Sequence, residues 1–522
     1  MKKENNKHYL FFGVLFLFCI AMSFAINIPD YDLWARLLVG QHFFETFSLM
    51  KHDPFSYTPT HFWYDHEWGS SVIFYAVLKA LGDSGLTLLK AFLAFLPLFF
   101  IYKTIKLKEV KTTNSYNILY YIFTFLALYP IFAGTIRCHM FTFAFFSLWI
   151  YLLEKVRLGE RKWLFYFPLM MIVWNNLHGG CVSGIGLLFI YIVGEFLNKK
   201  PVKDYVVSFC LSCLATFINP YGPSYVLFLL KATTMKRPLI TEWRSSFHTV
   251  YLYKYMVYKI FLITGSFVAI ASAIKEKLNY EKLDKTKYIL LACTAYLSIM
   301  HIKHQPFFII SAAAFLYDDF YSLFNSFVSR IRDMFNIKSD AFISKFVKIK
   351  ETVVYGVILL ATLGYLIQSD GVIKISQKKY PIYAVEFVRL NKIKGNLFIN
   401  FTYGSYAAYK LFPNNKIVMD GRYEEVYDPS LIVKMSNFHR LKGKKWNELI
   451  TNYNTDVIIL EKSYPVFDKL KEDKNWKLVF EDKDFAVFVP AEKAKTNYTL
   501  PSRLDWFYDT NKFINYIDFK KK

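Results

Sequence analysis

Apolar runs of about 20 residues recur along the first 370 positions, and each is closed by a short polar segment. The first run, "YLFFGVLFLFCIAMSFAI", follows the basic tail "MKKENNKH". Ten more fall near 84–102, 116–134, 140–154, 163–177, 181–198, 204–218, 258–274, 288–302, 305–323 and 352–368. Runs of this length match the hydrocarbon thickness of a bilayer, so the pattern predicts a polytopic α-helical membrane protein of about 11 spans. "WGSSVIFYAVLKALG" (68–82) is too short to span and reads as an amphipathic helix at the interface.

After position 370 the period changes. Short β-rich runs appear at 396–401, 416–420, 456–460, 476–480 and 485–490, with helix-like stretches "SYAAYKLF" and "WNELITNYN" between them. This alternation predicts a small α/β domain, with "EDKD" (481–484) turning the last two strands into a hairpin. The expected domains are 1–369, membrane-embedded with a first outer loop at 28–71, and 370–522, α/β.

Charge orients the spans. Alternate connections, beginning with the N-terminal tail, hold about 25 Lys and Arg, and the others hold about 9. The positive-inside rule therefore predicts a cytoplasmic N-terminus in an inner or plasma membrane. The loop 28–71 and, with an odd number of spans, the α/β domain lie outside the cytoplasm. The same distribution accounts for the net charge of +23 without nucleic acid as a partner. Six cysteines, none after Cys293, supply no disulfide framework for the C-terminal part.

The first outer loop is crowded with ionisable and aromatic side chains. Asp30, Asp32, Asp53, Asp65 and Glu67 stand with His52, His61 and His66, and with Trp34, Trp63 and Trp68 as expected interfacial anchors. Asp30-Tyr31-Asp32 has the D-x-D form of metal-dependent, nucleotide-sugar enzymes, but nucleotide sugars are cytoplasmic and this loop is not. Other polar residues gather where spans end on the same side: Arg137 and His139, Asn176 and His178, and Glu242 and Arg244 in the following loop. Ionisable groups at that depth are costly in lipid and generally face a cavity or a partner. Their convergence predicts a single site at the outer membrane surface. His301 and His304 have the spacing of metal ligands but no evident carboxylate or thiolate partner, so no metal and no cofactor is expected. Asp420 and Arg422 in "MDGRYEEVY" read either as ligand-binding residues or as a tight turn with a surface ion pair.

"DYDLWARLLVGQHFFE…DPFSYTPTHFWYDHEWGSSVIF" resembles the first outer loop of GT-C glycosyltransferases, in particular a bacterial group with D-x-D-x-W, D-P-F-S-Y-T and H-E-W blocks. "WNNLHGG", "INPYG" and "MDGRYEEVY" are similar to later blocks of that group. The resemblance implies transfer of a hexosyl or pentosyl unit from a polyprenyl-phosphate donor to a glycan, lipid or protein acceptor outside the cytoplasm, with inversion. It implies Asp32, then Asp30, as the catalytic carboxylate. Arg137 suits the leaving phosphate, with His139, His178 and Arg244 behind it, and His66 and Glu67 suit the acceptor or the tuning of Asp32. Asn176 and Glu242 complete the expected substrate-binding set. The chain departs from a metal-dependent oligosaccharyltransferase pattern in lacking a second acidic pair in its later outer loops. A flippase would need charges at mid-bilayer depth and paired broken helices. A non-catalytic envelope assembly protein would use the α/β domain to hold a partner.

Overall fold

The computed structural model describes residues 2–25, 27–107, 116–132, 136–235, 237, 240–278, 283–334, 351–369, 373, 375–376 and 379–502. Parts of the basic connections expected at 103–115, 275–287 and 324–351, and the last stretch of the α/β domain, 503–522, lie outside the described residues. The chain forms two compact units. One comprises Met1–Ala25, Leu88–Ala133 and Cys138–Ser369; the other comprises Ile26–Thr87, Gly134–Arg137 and Asp370–Lys522.

The first unit is helical. By length and composition, three helices among the described residues are long and apolar enough to cross a membrane: Trp68–Lys106, whose first part belongs to the other unit, Gly179–Leu197 and Met256–Leu278. Leu10–Ala25, Tyr120–Tyr129 and Tyr355–Ile367 are shorter apolar helices. Other expected spans form compact helices, such as Tyr166–Leu177 (12 residues), Lys203–Ala215 (13) and Gln305–Phe315 (11). On Met256–Leu278, Ile260, Ile263, Phe267, Ile270 and Ile274 form an exposed stripe at helical spacing. Such a stripe is unfavourable in water and matched to hydrocarbon.

Aromatic side chains fill the interior. Trp149 packs edge-on against Phe167 and Trp174, and both tryptophans are fully buried. Gly184 is required there, because a Cβ would meet the Trp174 ring at 2.6 Å. At one end of the helices Arg157 gathers Glu154 (3.1 Å), Glu195 (3.0 Å) and Asp284 (2.8 Å). This ties the helices His139–Arg157 and Val182–Leu197 to the start of Lys285–Met300.

The long apolar helix changes direction at Gly82, whose φ of 64° and ψ of −161° suit glycine and few other residues. The expected interfacial segment 68–82 thus ends where the helix breaks.

The second unit is built on a five-stranded sheet of order β2-β1-β3-β5-β4. The strands are β1 Gly395–Phe398, β2 Asn415–Ile417, β3 Val457–Glu461, β4 Trp476–Glu481 and β5 Phe485–Pro490. β2, β1 and β3 are parallel, and β5 runs antiparallel to both β3 and β4. The β2 edge is covered by the first loop. Ser56 bridges Ile417 in parallel, Thr60 bridges Tyr427 antiparallel, and the Ile417 amide donates to the Phe55 carbonyl at 2.9 Å. An edge strand with open N–H and C=O groups is thereby satisfied.

Helix Leu33–Thr46 packs beside helix Phe401–Leu411, with Trp34 edge-on to Tyr406 at 5.2 Å and its indole N–H donating to the Tyr380 hydroxyl. Gly40 sits against the Ser71 carbonyl and Tyr75, leaving no room for a side chain. Trp34 and Trp63 are completely buried. This corrects their expected role as interfacial anchors: they are core residues where the loop packs on the α/β elements of the same unit.

Candidate active site

Asp32 stands at the N-cap of helix Leu33–Thr46 without using its side chain as a cap. The adjacent Asp30 explains this: its Oδ1 accepts the Asp32 amide at 3.1 Å and its carbonyl accepts the Leu33 amide at 3.2 Å. The turn is closed by Asp30, and the Asp32 carboxylate points away, 45% exposed. Arg137 reaches both acids. Its Nε lies 3.3 Å from Asp30 Oδ1, and its Nη2 donates to Asp32 Oδ2 at 3.1 Å. The guanidinium is itself 23% exposed. Three residues expected at the site are thus in direct contact within one unit.

The "MDGRYEEVY" block borders this cluster. A Cβ on Gly421 would lie 2.6 Å from Asp32 Oδ1. The expected surface ion pair of Asp420 and Arg422 is instead buried. Arg422 Nε lies 2.8 Å from Asp420 Oδ1, and its Nη1 lies 2.8 Å from Asp53 of the first loop, all three side chains being at most 2% exposed. The guanidinium also stacks 4.7 Å from the Trp63 ring. Burial works against its charge, but Asp420 and Asp53 outweigh it and hold the arginine protonated. The alternation of strand and turn could not reveal this, because Asp53 and Arg422 are 369 residues apart.

His66 and Glu67 join a second network. Arg36 Nη1 lies 2.6 Å from Asp65 and 3.5 Å from Glu67, and its Nη2 lies 3.7 Å from Glu425. His66 Nδ1 lies 3.3 Å from Glu425 Oε1, and Trp63 donates to Glu425 Oε2 at 2.9 Å. Burial raises Glu425 to about 7, while His66 and Arg36 pull the other way. Arg36 and Glu425 were not foreseen; a lone arginine inside an apolar helix was the available signal.

The remaining expected residues belong to the helical unit. His178 Nδ1 lies 2.7 Å from the Thr142 hydroxyl and accepts the Gly180 amide at 3.0 Å, and Trp174 donates to the same hydroxyl. Asn176 donates to the carbonyls of Ile172 and Ile218. His139 opens its helix with its ring 5.4 Å from Phe143. Glu242 lies in the 3-10 turn Thr241–Trp243, and the following Arg244 accepts the Ile302 amide through its carbonyl. His301 and His304 flank the Trp243 ring, and His301 Nδ1 lies 2.8 Å from the Trp243 carbonyl.

No family model and no curated protein matches the sequence. Solved structures do match. The apo oligosaccharyltransferase of Archaeoglobus fulgidus aligns with a TM-score of 0.55 at 9% identity, covering 86% of this chain and 69% of that one. The archaeal oligosaccharyltransferase AglB from Archaeoglobus fulgidus, in complex with an inhibitory peptide and a dolichol-phosphate, aligns at 0.54 and 10%, covering 87% and 70%. The Archaeoglobus fulgidus enzyme tethered to an acceptor peptide containing the NVT sequon aligns at 0.56 and 12%, covering 87% and 69%. The chain therefore shares the fold of these oligosaccharyltransferase structures.

Proposed function

We propose that this protein is a membrane glycosyltransferase that moves one hexosyl or pentosyl unit from a polyprenyl-phosphate donor to an acceptor outside the cytoplasm, with inversion at the anomeric carbon. The supporting observation is the contact of Arg137 with both Asp30 and Asp32, next to a carboxylate that its helix leaves unused as a cap. The proposed topology has about 11 spans, a cytoplasmic N-terminus and an extracytoplasmic α/β domain. The dolichol-phosphate in one AglB structure supports a lipid-phosphate donor.

Inversion puts the base and the phosphate-binding cation on opposite faces of the anomeric carbon, so the Asp32–Arg137 contact must open to admit the sugar. The acceptor oxygen forms the new bond to that carbon and gives its proton to Asp32, while the bond from carbon to phosphate oxygen breaks. Arg137 holds the departing phosphate. A lipid phosphate must compete with Asp30 and Asp32 for the guanidinium. Donor binding therefore draws the cation away from Asp32 and makes the carboxylate more basic when the acceptor is to be deprotonated. Asp30, fixed by its turn, keeps the helix end in register.

The test compares envelope glycans and lipid-linked sugars by mass spectrometry in cells with the wild-type protein, without it, and with Asp32→Asn at matched abundance. The expected result is loss of the same sugar unit in both altered strains, with accumulation of its lipid-linked donor. Normal glycans with Asp32→Asn, beside a defect in the deletion, overturn the assignment and favour an assembly role.

A further inference from the structure

β1 and β3 are parallel neighbours ending at one edge of the sheet, the edge where ligands bind in open α/β sheets. After β1 the chain reaches Asn400, which is 9% exposed, and β3 ends on Glu461. Asn400 Nδ2 donates to the Tyr464 hydroxyl at 3.0 Å and to Glu461 Oε1 at 3.5 Å. The Tyr403 phenol opposes the rise that burial imposes on the same carboxyl. The Tyr464 ring lies flat on His439, with centroids 4.2 Å apart and an interplanar angle of 10°. His439 is 5% exposed, and its Nε2 has no hydrogen-bond partner among the described residues. Tyr31, between the two acids of the candidate active site, has its ring 5.9 Å from Tyr403.

These contacts make a continuous path from Asp32 through Tyr31 and Tyr403 to Glu461 and Tyr464. Glu461, Tyr403 and Tyr464 are all partly exposed. Among the described residues, no lysine or arginine is ion-paired with Glu461. A carboxylate held by an amide, with phenols beside it and without a cation, accepts hydrogen bonds from hydroxyl groups and repels anions. Half-exposed tyrosine rings offer the flat apolar surfaces that match the C–H face of a pyranose. A purely structural cluster would gain more from apolar residues at these strand ends, where burial raises the Glu461 carboxyl.

We infer that the carboxyl edge of β1 and β3 is a saccharide subsite that takes a neutral sugar ring of the acceptor other than the ring that receives the transferred sugar. The inference rests on the reading of Asp32 as the reaction centre, and it makes the acceptor a glycan.

Saturation-transfer NMR on the full-length protein in micelles tests this. The probe is the neutral oligosaccharide fraction released by mild acid from envelopes of cells that make the protein. Saturation of sugar-ring protons is expected with the wild type and with Asp32→Asn. It is expected to fall roughly fivefold with Glu461→Gln and with Tyr464→Ala, the scale of a lost hydrogen bond or ring contact. Matching thermal unfolding of all four proteins establishes that the variants are folded. No saturation with the wild type, or equal saturation with the two subsite variants, overturns the inference. Turnover on the same preparations separates the two readings: normal turnover by Asp32→Asn overturns the reaction centre, whatever the saturation shows.

Discussion

Gly421 faces Asp32 so closely that a methyl group on its α-carbon would stand 2.6 Å from the carboxylate oxygen Oδ1. Real Cβ contacts are not that short, so Gly421→Ala must displace the Asp32 carboxylate. Displacement of a reacting group by about 1 Å costs on the order of 100-fold in rate. We expect Gly421→Ala to lose turnover on that scale while its melting temperature moves by no more than about 4 °C. Turnover and thermal unfolding of one preparation check both parts.

Arg137→Ala should remove the group proposed to hold the departing phosphate. The expected loss is about 10²–10³ in kcat/KM for the donor. Arg137→Lys should recover only part of it, because an ammonium cannot engage two acids in the guanidinium's planar geometry. Donor-dependence kinetics in micelles distinguish the three proteins.

The Asp53–Arg422–Asp420 cluster is buried, so Asp53→Ala leaves a guanidinium with one partner fewer and no water. Breaking a buried pair in this way costs about 3–5 kcal/mol. The effect should persist at high salt, since buried charges are poorly screened. Urea unfolding at two ionic strengths measures it, and proteolysis within 50–63 should accelerate.

Glu425 sets a pH dependence of definite sign. Its folded value, about 7, lies above the unfolded value of 4.5, so the folded state binds the extra proton between these limits. Its contribution to stability is full below pH 4.5 and is lost as pH rises to 7. His439, lowered to about 4 by burial, acts the other way: its contribution is full above pH 6.5 and is lost as pH falls to 4. Glu425→Gln should therefore lose less stability than the wild type as pH rises from 5 to 8. Chemical unfolding across that range checks it.

Much of the sheet was legible because its strands are β-branched and aromatic runs bounded by turn residues. All five expected strands form, and "EDKD" does turn β4 into β5. Helices Ile382–Leu390, Ser430–Arg440 and Val466–Glu472 were not foreseen, since 7 to 11 residues carry too few turns for a clear apolar period. Along the first unit, run length and helix length differ. An apolar run at 204–218 contains a helix of only 13 residues, about 20 Å long. At the candidate site, residue types and loop membership were readable, and Asp30, Asp32 and Arg137 do meet. The partner of Asp53 was not readable, because nothing local in "HDPF" specifies an arginine beyond position 400. Nor was the closeness of Gly421 to Asp32, which depends on the backbone path of a distant turn.

The loop bridge from Ser56 to Ile417 bears on how the protein is made. The loop is synthesised first, and its partner strand follows about 360 residues later, a delay of roughly 20 to 70 seconds at ordinary translation rates. Throughout that interval Trp63 and Asp53 lack the surroundings that bury them. Biogenesis therefore includes a waiting period in which the nascent loop must be shielded from proteases. A chain terminated before position 415 would expose the same segment permanently and mark itself for degradation.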